Sequence, residues 1–382
     1  MQGATPFLKF TWISISFVAN LILSSVLLYL VKRFLKGLYT NLSFKTLKIY
    51  IITFSVITIV FLSTILSIYL KIELTAKIFS YTSMILVIFN LISLILMPFA
   101  VLIIKIFSIG EKKEQEIPVK SLSRRNFLKH TSYIFPVAAV SLTGNGFKEG
   151  FSETKLKKLN LFYKNLNPDF KHLKILHITD LHLGFFIGLD HLKEIVDKAN
   201  KENVDIVVVT GDFVDEYNLL DEGVKLLKQI KTKYGIYSCA GNHEYFRNIK
   251  PVIKKFTEEK IPYLINQGVT ITINNSKLFI GGVDDFKKVK GDAKVKQDFY
   301  NNAVDRTLEY NKESQFTLLM CHRPNSFDYS AKKNVDLMLS GHTHGGQFGF
   351  LGKSLFETKR NRYVWGHYTN KNSQLFVSSG AG

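Results

Sequence analysis

Cysteine is nearly absent from this chain: 382 residues include only Cys239 and Cys321. One possible pair sets no disulfide framework. Both lie in apolar, strand-like runs and read as packed small hydrophobes, so cysteine usage leaves the compartment open. Acid is also scarce, with 31 Asp/Glu against 50 Lys/Arg and a formal charge of +19. Through residue 147 there are 15 basic and 4 acidic residues (+11); the remainder has 35 against 27 (+8). The second part lacks a stripe of clustered basic residues with interleaved aromatics. Its charge therefore reads as a Lys-rich solvated surface, and no nucleic-acid partner is expected. The length has room for two or more domains of about 100–200 residues each.

Charge is missing altogether from three apolar stretches, Phe10–Val31, Ile49–Leu70 and Ile78–Ile104. Each is long enough to cross a hydrocarbon core, which takes about 20 helical residues. A buried soluble helix is the weaker alternative. The first stretch is too long for a cleavable signal peptide and lacks its basic start. Pro98 is expected to kink the third, which membrane helices tolerate. The loop after the first stretch holds Lys32, Arg33, Lys36, Lys45 and Lys48 without an acid, so it is expected on the cytoplasmic side. The next connection holds only Lys71, Glu73 and Lys77 and fits the outside. Lys105, Lys112, Lys113 and Lys120 then return the chain to the cytoplasmic side. Residues 1–120 are expected to form this transmembrane region.

Residues 121–147 follow as a signal or anchor segment. Ser123-Arg124-Arg125-Asn126-Phe127-Leu128-Lys129 resembles the twin-arginine export signal, which normally stands at an N-terminus. The segment after it, about Thr131–Phe147, is only moderately apolar and contains Pro136, Gly144 and Gly146. That weakness agrees with the motif; the alternative is that the two arginines are positive-inside residues only. No clear small-x-small cleavage site follows, so the segment is expected to remain as a fourth anchor. Export machinery for folded proteins is then an expected partner. The chain is expected to be a multi-pass protein of the cytoplasmic membrane, its last domain on the outer (periplasmic or extracellular) face.

Residues 148–172 are expected to hold a linker and a first strand, and 173–382 a globular domain. There, β-branched runs such as "LKILHITDLH", "VDIVVVTGD", "GIYSCAGNHE", "KLFIGGVDD", "FTLLMCHRP" and "VDLMLSGHTH" read as strands buried on both faces. Helical patterns over Leu189–Glu202, Leu219–Thr232, Pro251–Glu259 and Asp298–Asn311 separate several of them. Strands alternating with helices predict a layered α/β domain with much parallel pairing. In such domains functional residues gather at the carboxyl ends of strands.

Five groups close these apolar runs: Asp180-Leu-His182; Gly211-Asp212-Phe-Val-Asp215; Gly241-Asn242-His243-Glu244; His322; and Gly341-His342-Thr-His344. Any one histidine after a strand is more often a satisfied loop residue than a ligand. Five groups together at strand ends would bury carboxylates and imidazoles at a cost that two divalent cations would offset. The donors are imidazole nitrogens and carboxylate or amide oxygens without thiolate, which suits Mn, Fe or Zn better than a structural zinc site.

This set, D-x-H, G-D-x-x-D, G-N-H-E, H and G-H-x-H, resembles the calcineurin-like metallophosphoesterases over Leu173–Gly382. His342-Thr-His344-Gly-Gly-Gln347 is similar to the membrane-associated branch of that family. The resemblance implies an α/β fold of four layers, αββα, with two stacked sheets between helices. It implies one metal held by Asp180, His182, Asp212 and His344, and a second by Asp212, Asn242, His322 and His342, so that Asp212 bridges. His243 would face the phosphate as general acid or transition-state stabiliser, with Asp215 orienting it. Two ions about 3.5–4 Å apart would activate a water and clamp the phosphoryl oxygens. Arg323 could add a phosphate contact; an ordinary surface arginine is an equal reading. Relatives continue beyond "LFVSSGAG", so a truncated C-terminus and a weakened sheet edge are expected. The implied function is hydrolysis of phosphate ester or pyrophosphate bonds in a phosphorylated small-molecule or lipid-linked substrate. Alternatives are a pyrophosphatase of the UDP-diacylglucosamine type in lipid A synthesis, whose cytoplasmic substrate conflicts with the topology, and a non-catalytic metal-binding module regulating the membrane bundle. A transporter is disfavoured because no span carries a charge.

Overall fold

The computed structural model describes residues 6–35, 42–70, 72–108, 137–144, 154–184, 187–285, 287, 291–346, 349–350, 353–354 and 362–382. The twin arginines, Arg124 and Arg125, lie outside them. Ala4–Glu153 and Thr154–Gly382 form separate compact units.

The first unit contains α1 (Pro6–Leu35), α2 (Leu42–Tyr69) and α3 (Glu73–Ser108). Each overruns its apolar stretch at one end or both, because backbone hydrogen bonding continues through charged side chains where hydropathy has already fallen. Within them Ile13–Leu30, Ile52–Tyr69 and Thr75–Phe99 are long and apolar enough to cross a membrane. Pro98 lies inside α3, which runs on to Ser108. Polar side chains link α1 to α3: Asn20 Nδ2 donates to the Ser83 carbonyl at 3.0 Å, and Asn90 Nδ2 to Ser24 Oγ at 2.9 Å. Amides and hydroxyls of this kind hold apolar helices together where the hydrophobic effect cannot. Of the expected fourth segment, residues 137–144 are described and form a helix, α4.

The second unit has two sheets. Four parallel strands, β1 (Ile175–Ile178), β2 (Ile206–Thr210), β3 (Ile236–Cys239) and β4 (Tyr263–Leu264), run in that order. The six-stranded sheet is built from β5 (Gln267–Ile273), β6 (Ser276–Gly282), β7 (Phe316–Met320), β8 (Leu337–Ser340), β11 (Gly366–Asn370) and β12 (Ser373–Val377), in the order β11-β12-β8-β7-β6-β5. Two short strands, β9 (Gly349–Phe350) and β10 (Lys353–Ser354), pair separately. β12, β8, β7 and β6 are mutually parallel, and antiparallel β11 and β5 close the two edges. The doubted edge is thus lined by the β11–β12 hairpin.

Strand periodicity explains the layering. Ile206 and Val208 point between the sheets, against Ile280, Leu318, Met320 and Leu339. Val207 and Val209 point the other way, onto Leu192, Val196, Val224 and Phe256 of α5 (Leu189–Glu202), α6 (Leu220–Leu227) and α8 (Ile249–Glu258). On the far side Leu319, Met338 and Val377 pack on Tyr300, Val304 and Phe327 of α9 (Ala293–Leu308) and α10 (Phe327–Lys332). The order is helices, sheet, sheet, helices. Both cysteines are free and buried, Cys239 between the sheets and Cys321 under α9 and α10.

Three local expectations differ. Residues 154–172 contain no strand; Pro168 opens a 3-10 turn to Phe170, and Leu161, Tyr163 and Leu166 pack on the inter-sheet core without pairing. The helix expected to reach Thr232 ends at Leu227, followed by tighter turns at Gln229 and Ile230. The helix expected from Asp298 begins at Ala293, because the Asp292 carboxylate caps the amides of Lys294 and Val295.

Candidate metal centre

Each of the five groups leaves the carboxyl end of a strand: β1, β2, β3, β7 and β8. The chain turns abruptly there. Asp180, His182, Asp212, His342 and His344 all have left-handed backbones, with φ of 51°, 50°, 51°, 70° and 47°. Such non-glycine conformations cost free energy and persist where surroundings over-determine them, often at functional sites. Here the surroundings are other loops. Asp180 N–H donates to the Gly211 carbonyl, His182 N–H to the Asp212 carbonyl, and Gly341 N–H to the His322 carbonyl. Two glycines permit this closeness. A Cβ at Gly341 would lie 2.0 Å from Asp180 Oδ2, and one at Gly241 would lie 2.3 Å from Asp212 Oδ1.

The seven candidate ligands meet in this space. Asp180 and Asp212 are buried. His182 Nε2 lies 3.9 Å from Asp180 Oδ1 and 3.8 Å from Asp212 Oδ2, and His344 Nε2 lies 3.5 Å from Asp180 Oδ1. His322 Nε2 lies 3.1 Å from Asp212 Oδ2 and 3.2 Å from Asn242 Oδ1. Asp180, His182 and His344 can direct one atom each at a shared point, and so can Asp212, His322 and His342. His182, Asp212 and His243 form a third such group, although His243 Nδ1 is already 2.6 Å from Asp215 Oδ1.

The charges show what the cluster lacks. Burial disfavours a charge on Asp212, yet His322, then His243 and His182, hold its carboxyl well below the usual range. Burial likewise opposes a proton on His322, but the carboxylates of Asp212 and Asp180 carry its pKa up to about 10. Burial, then the charges of His322 and Arg323, push His342 down to about 2. Both ring nitrogens of His182 are buried without a hydrogen-bond partner, although the Nδ1 atom lies 3.3 Å from Asp215. Buried imidazole nitrogens normally have partners. An orphaned His182 and a proton pressed onto His322 beside two carboxylates fit a site made for cations.

Residues 173–346 match the model of the calcineurin-like phosphoesterases. An uncharacterised metallophosphoesterase of Helicobacter pylori strain J99 is 32% identical over 283 residues, covering 72% of this chain and 70% of the relative. This chain belongs to the calcineurin-like metallophosphoesterase family. The match covers a larger share of the chain than Thr154–Gly382 makes up, so it takes in part of the N-terminal region. An uncharacterised metallophosphoesterase of Bacillus subtilis is 26% identical over 276 residues, 69% of this chain and 92% of the relative. A Bos taurus protein described as a transmembrane protein with metallophosphoesterase domain is 28% identical over 192 residues, 48% of this chain and 42% of the relative.

Metallophosphoesterases of this family use a dinuclear metal centre, and the aspartate–histidine cluster of this chain fits one. Beside it stands a residue to which sequence reasoning assigned no part. Glu244 is fully buried and accepts from three amides, Gly241 at 2.8 Å, Phe213 at 2.8 Å and Asp212 at 3.0 Å. It ties the loop after β3 to the loop after β2 and, by accepting from the Gly241 amide, also caps the start of α7 (Asn242–Arg247), the helix on which Asn242 and His243 sit. Its place three residues after Gly241 was the available signal. Asp215 Oδ1 lies 2.6 Å from His243 Nδ1, and its Oδ2 lies 3.3 Å from His182 Nδ1. Arg323 is no surface residue: its Nε donates to buried Asp285 at 2.8 Å and its NH2 to Asn242 Oδ1 at 3.0 Å.

Proposed function

We propose that this chain is a membrane-anchored, metal-dependent phosphoesterase that hydrolyses phosphate ester or pyrophosphate bonds. One observation carries the reading: His243 sits beside the candidate ligands with its Nδ1 committed to Asp215 and its Nε2 4.0 Å from Asp212 Oδ2. Asp180, His182, Asp212 and His344 would hold one ion, and Asp212, Asn242, His322 and His342 the other, with Mn, Fe or Zn suited to these donors. Divalent ions bound there would supply the Lewis acidity that activates a water and neutralises phosphoryl charge.

The chain's own groups have definable tasks. Neighbouring His182 and His243 hold the Asp215 carboxyl well below its usual range against the effect of burial, so it is an acceptor. His243 Nδ1 must then be the donor, and Nε2, which carries a proton when the ring is cationic, is the atom that can pass one to a leaving oxygen. The Thr210 carbonyl accepts from His322 Nδ1 at 2.8 Å, which turns the other ring nitrogen toward Asp212 and fixes the ligating atom. Asn242 contributes oxygen without adding negative charge.

The three apolar helices and the Lys/Arg-rich loops support anchoring with the phosphoesterase unit on the outer face, delivered by a twin-arginine route that carries folded proteins. The test is hydrolysis of a panel of phosphate mono- and diesters and pyrophosphates by the full chain in detergent, stripped of metal and reloaded with Mn. Activity should need the metal and vanish in Asp212→Asn. Equal turnover by the stripped protein would overturn the reading.

A further inference from the structure

The Arg323 side chain is only 14% exposed, and its partner Asp285 is fully buried. Exposed arginine pairs contribute little and need no buried carboxylate. This one is built. Asp285 Oδ2 accepts from Arg323 Nε, and its Oδ1 accepts from the Lys287 amide at 2.8 Å. The Asp285 amide donates to Asp284 Oδ1 at 2.9 Å, on which the Tyr245 hydroxyl also rests. The carboxylate is fixed from several sides, and it fixes the guanidinium through Nε.

That leaves two terminal nitrogens, and both face the candidate centre. NH2 donates to Asn242 Oδ1, and NH1 to His342 Nε2. These are atoms that a second cation would use, through the same lone pairs. An ion seated there takes both acceptors from Arg323, while Asp285 still holds the stem. The terminal nitrogens stay aimed at the same spot, where anionic oxygens can take the place of those two acceptors. A phosphoryl group offers them in the planar, two-pronged spacing that a guanidinium matches and an ammonium does not. On the proposed function as its basis, we infer that Arg323 grips the non-bridging phosphoryl oxygens of the substrate and that Asp285 is its positioning residue.

The experiment measures binding of inorganic phosphate to the Mn-loaded full chain by calorimetry, beside metal content by elemental analysis. Arg323→Ala should keep the metal and weaken phosphate about 10- to 100-fold, the usual worth of a charged hydrogen-bonding group. Arg323→Lys should recover only part of this. Millimolar guanidinium ion should restore phosphate binding to Arg323→Ala. Asp285→Asn should weaken phosphate although the arginine remains, and added guanidinium should not help it. Unchanged phosphate affinity in Arg323→Ala would refute the inference. So would loss of metal from Arg323→Ala and Arg323→Lys alike, which would make the residue a support for the ligands. Because binding is read without turnover, Arg323-dependent phosphate binding in a chain that hydrolyses nothing would sink the proposed activity and leave this inference standing.

Discussion

Loading the centre with metal should expel protons, that of His322 among them. In the metal-free chain Asp212 and Asp180 overcome its burial and hold its pKa near 10. A ligating nitrogen must be deprotonated, so at pH 7 a metal competes with the proton that Asp212 and Asp180 hold on His322. The sign is definite. Below pH 10 each rise of one unit removes a tenfold share of this competition, so the apparent Kd for Mn should fall about tenfold per pH unit for one released proton. From pH 6.5 to 8.5 the gain is about 100-fold. Calorimetry of the stripped chain in two buffers of different ionisation enthalpy reads the proton count directly. Asp212→Asn removes the carboxylate 3.1 Å from His322 Nε2 and should flatten the pH slope while weakening binding at every pH. A slope near zero in the wild type, with no buffer dependence, would refute the picture of a proton resident on His322.

Other outcomes are fixed by the same contacts. His243→Ala should keep its metal yet lose about 10²- to 10⁴-fold in rate on alkyl phosphates, and much less on nitrophenyl phosphates, whose oxygen leaves unaided; His344→Ala should lose metal and fail on both. Burial raises the thiol pKa of Cys321 to about 12 and that of Cys239 well above its usual value, so iodoacetamide at pH 8 should label neither until the domain unfolds; labelling of the folded protein would contradict their burial. A reporter fused after Gly150 should appear outside the cytoplasmic membrane, and Arg124→Lys with Arg125→Lys should abolish this. Unchanged export in that variant would reduce the arginines to a topology signal.

How much of this could be read from residues alone varied with the range of the interaction. Strands with both faces buried, such as Ile206–Thr210, write themselves as unbroken β-branched runs, and α5 has the bounds its periodicity predicts. The motif residues were legible because each sits directly after such a run. Short or edge strands carried no such signal: β4 is two residues long, and β5 alternates exposed and half-buried positions. Longer-range pairings were illegible in principle. Arg323 finds Asp285 across 38 positions and Asn242 across 81, and nothing local distinguishes it from a surface arginine. The Asn20–Ser83 and Asn90–Ser24 contacts were hidden for the same reason, inside stretches that hydropathy reads as uniformly apolar.

The frame of the centre is tied together by donors and acceptors of the chain itself. The loops after β2 and β3 are joined through Glu244 and three amides, and the loops after β1 and β8 through the His342 amide, which donates to both oxygens of Asp180 at 3.1 and 2.9 Å. These bonds, with two close glycine approaches, fix the strained backbones of Asp180 and Asp212 using donors and acceptors already on the chain. A small zinc domain, by contrast, has no stable fold until its metal arrives. Here the core between two sheets presents the ligands, so ion binding has mainly to displace a proton from His322 and to engage the Nε2 of His182.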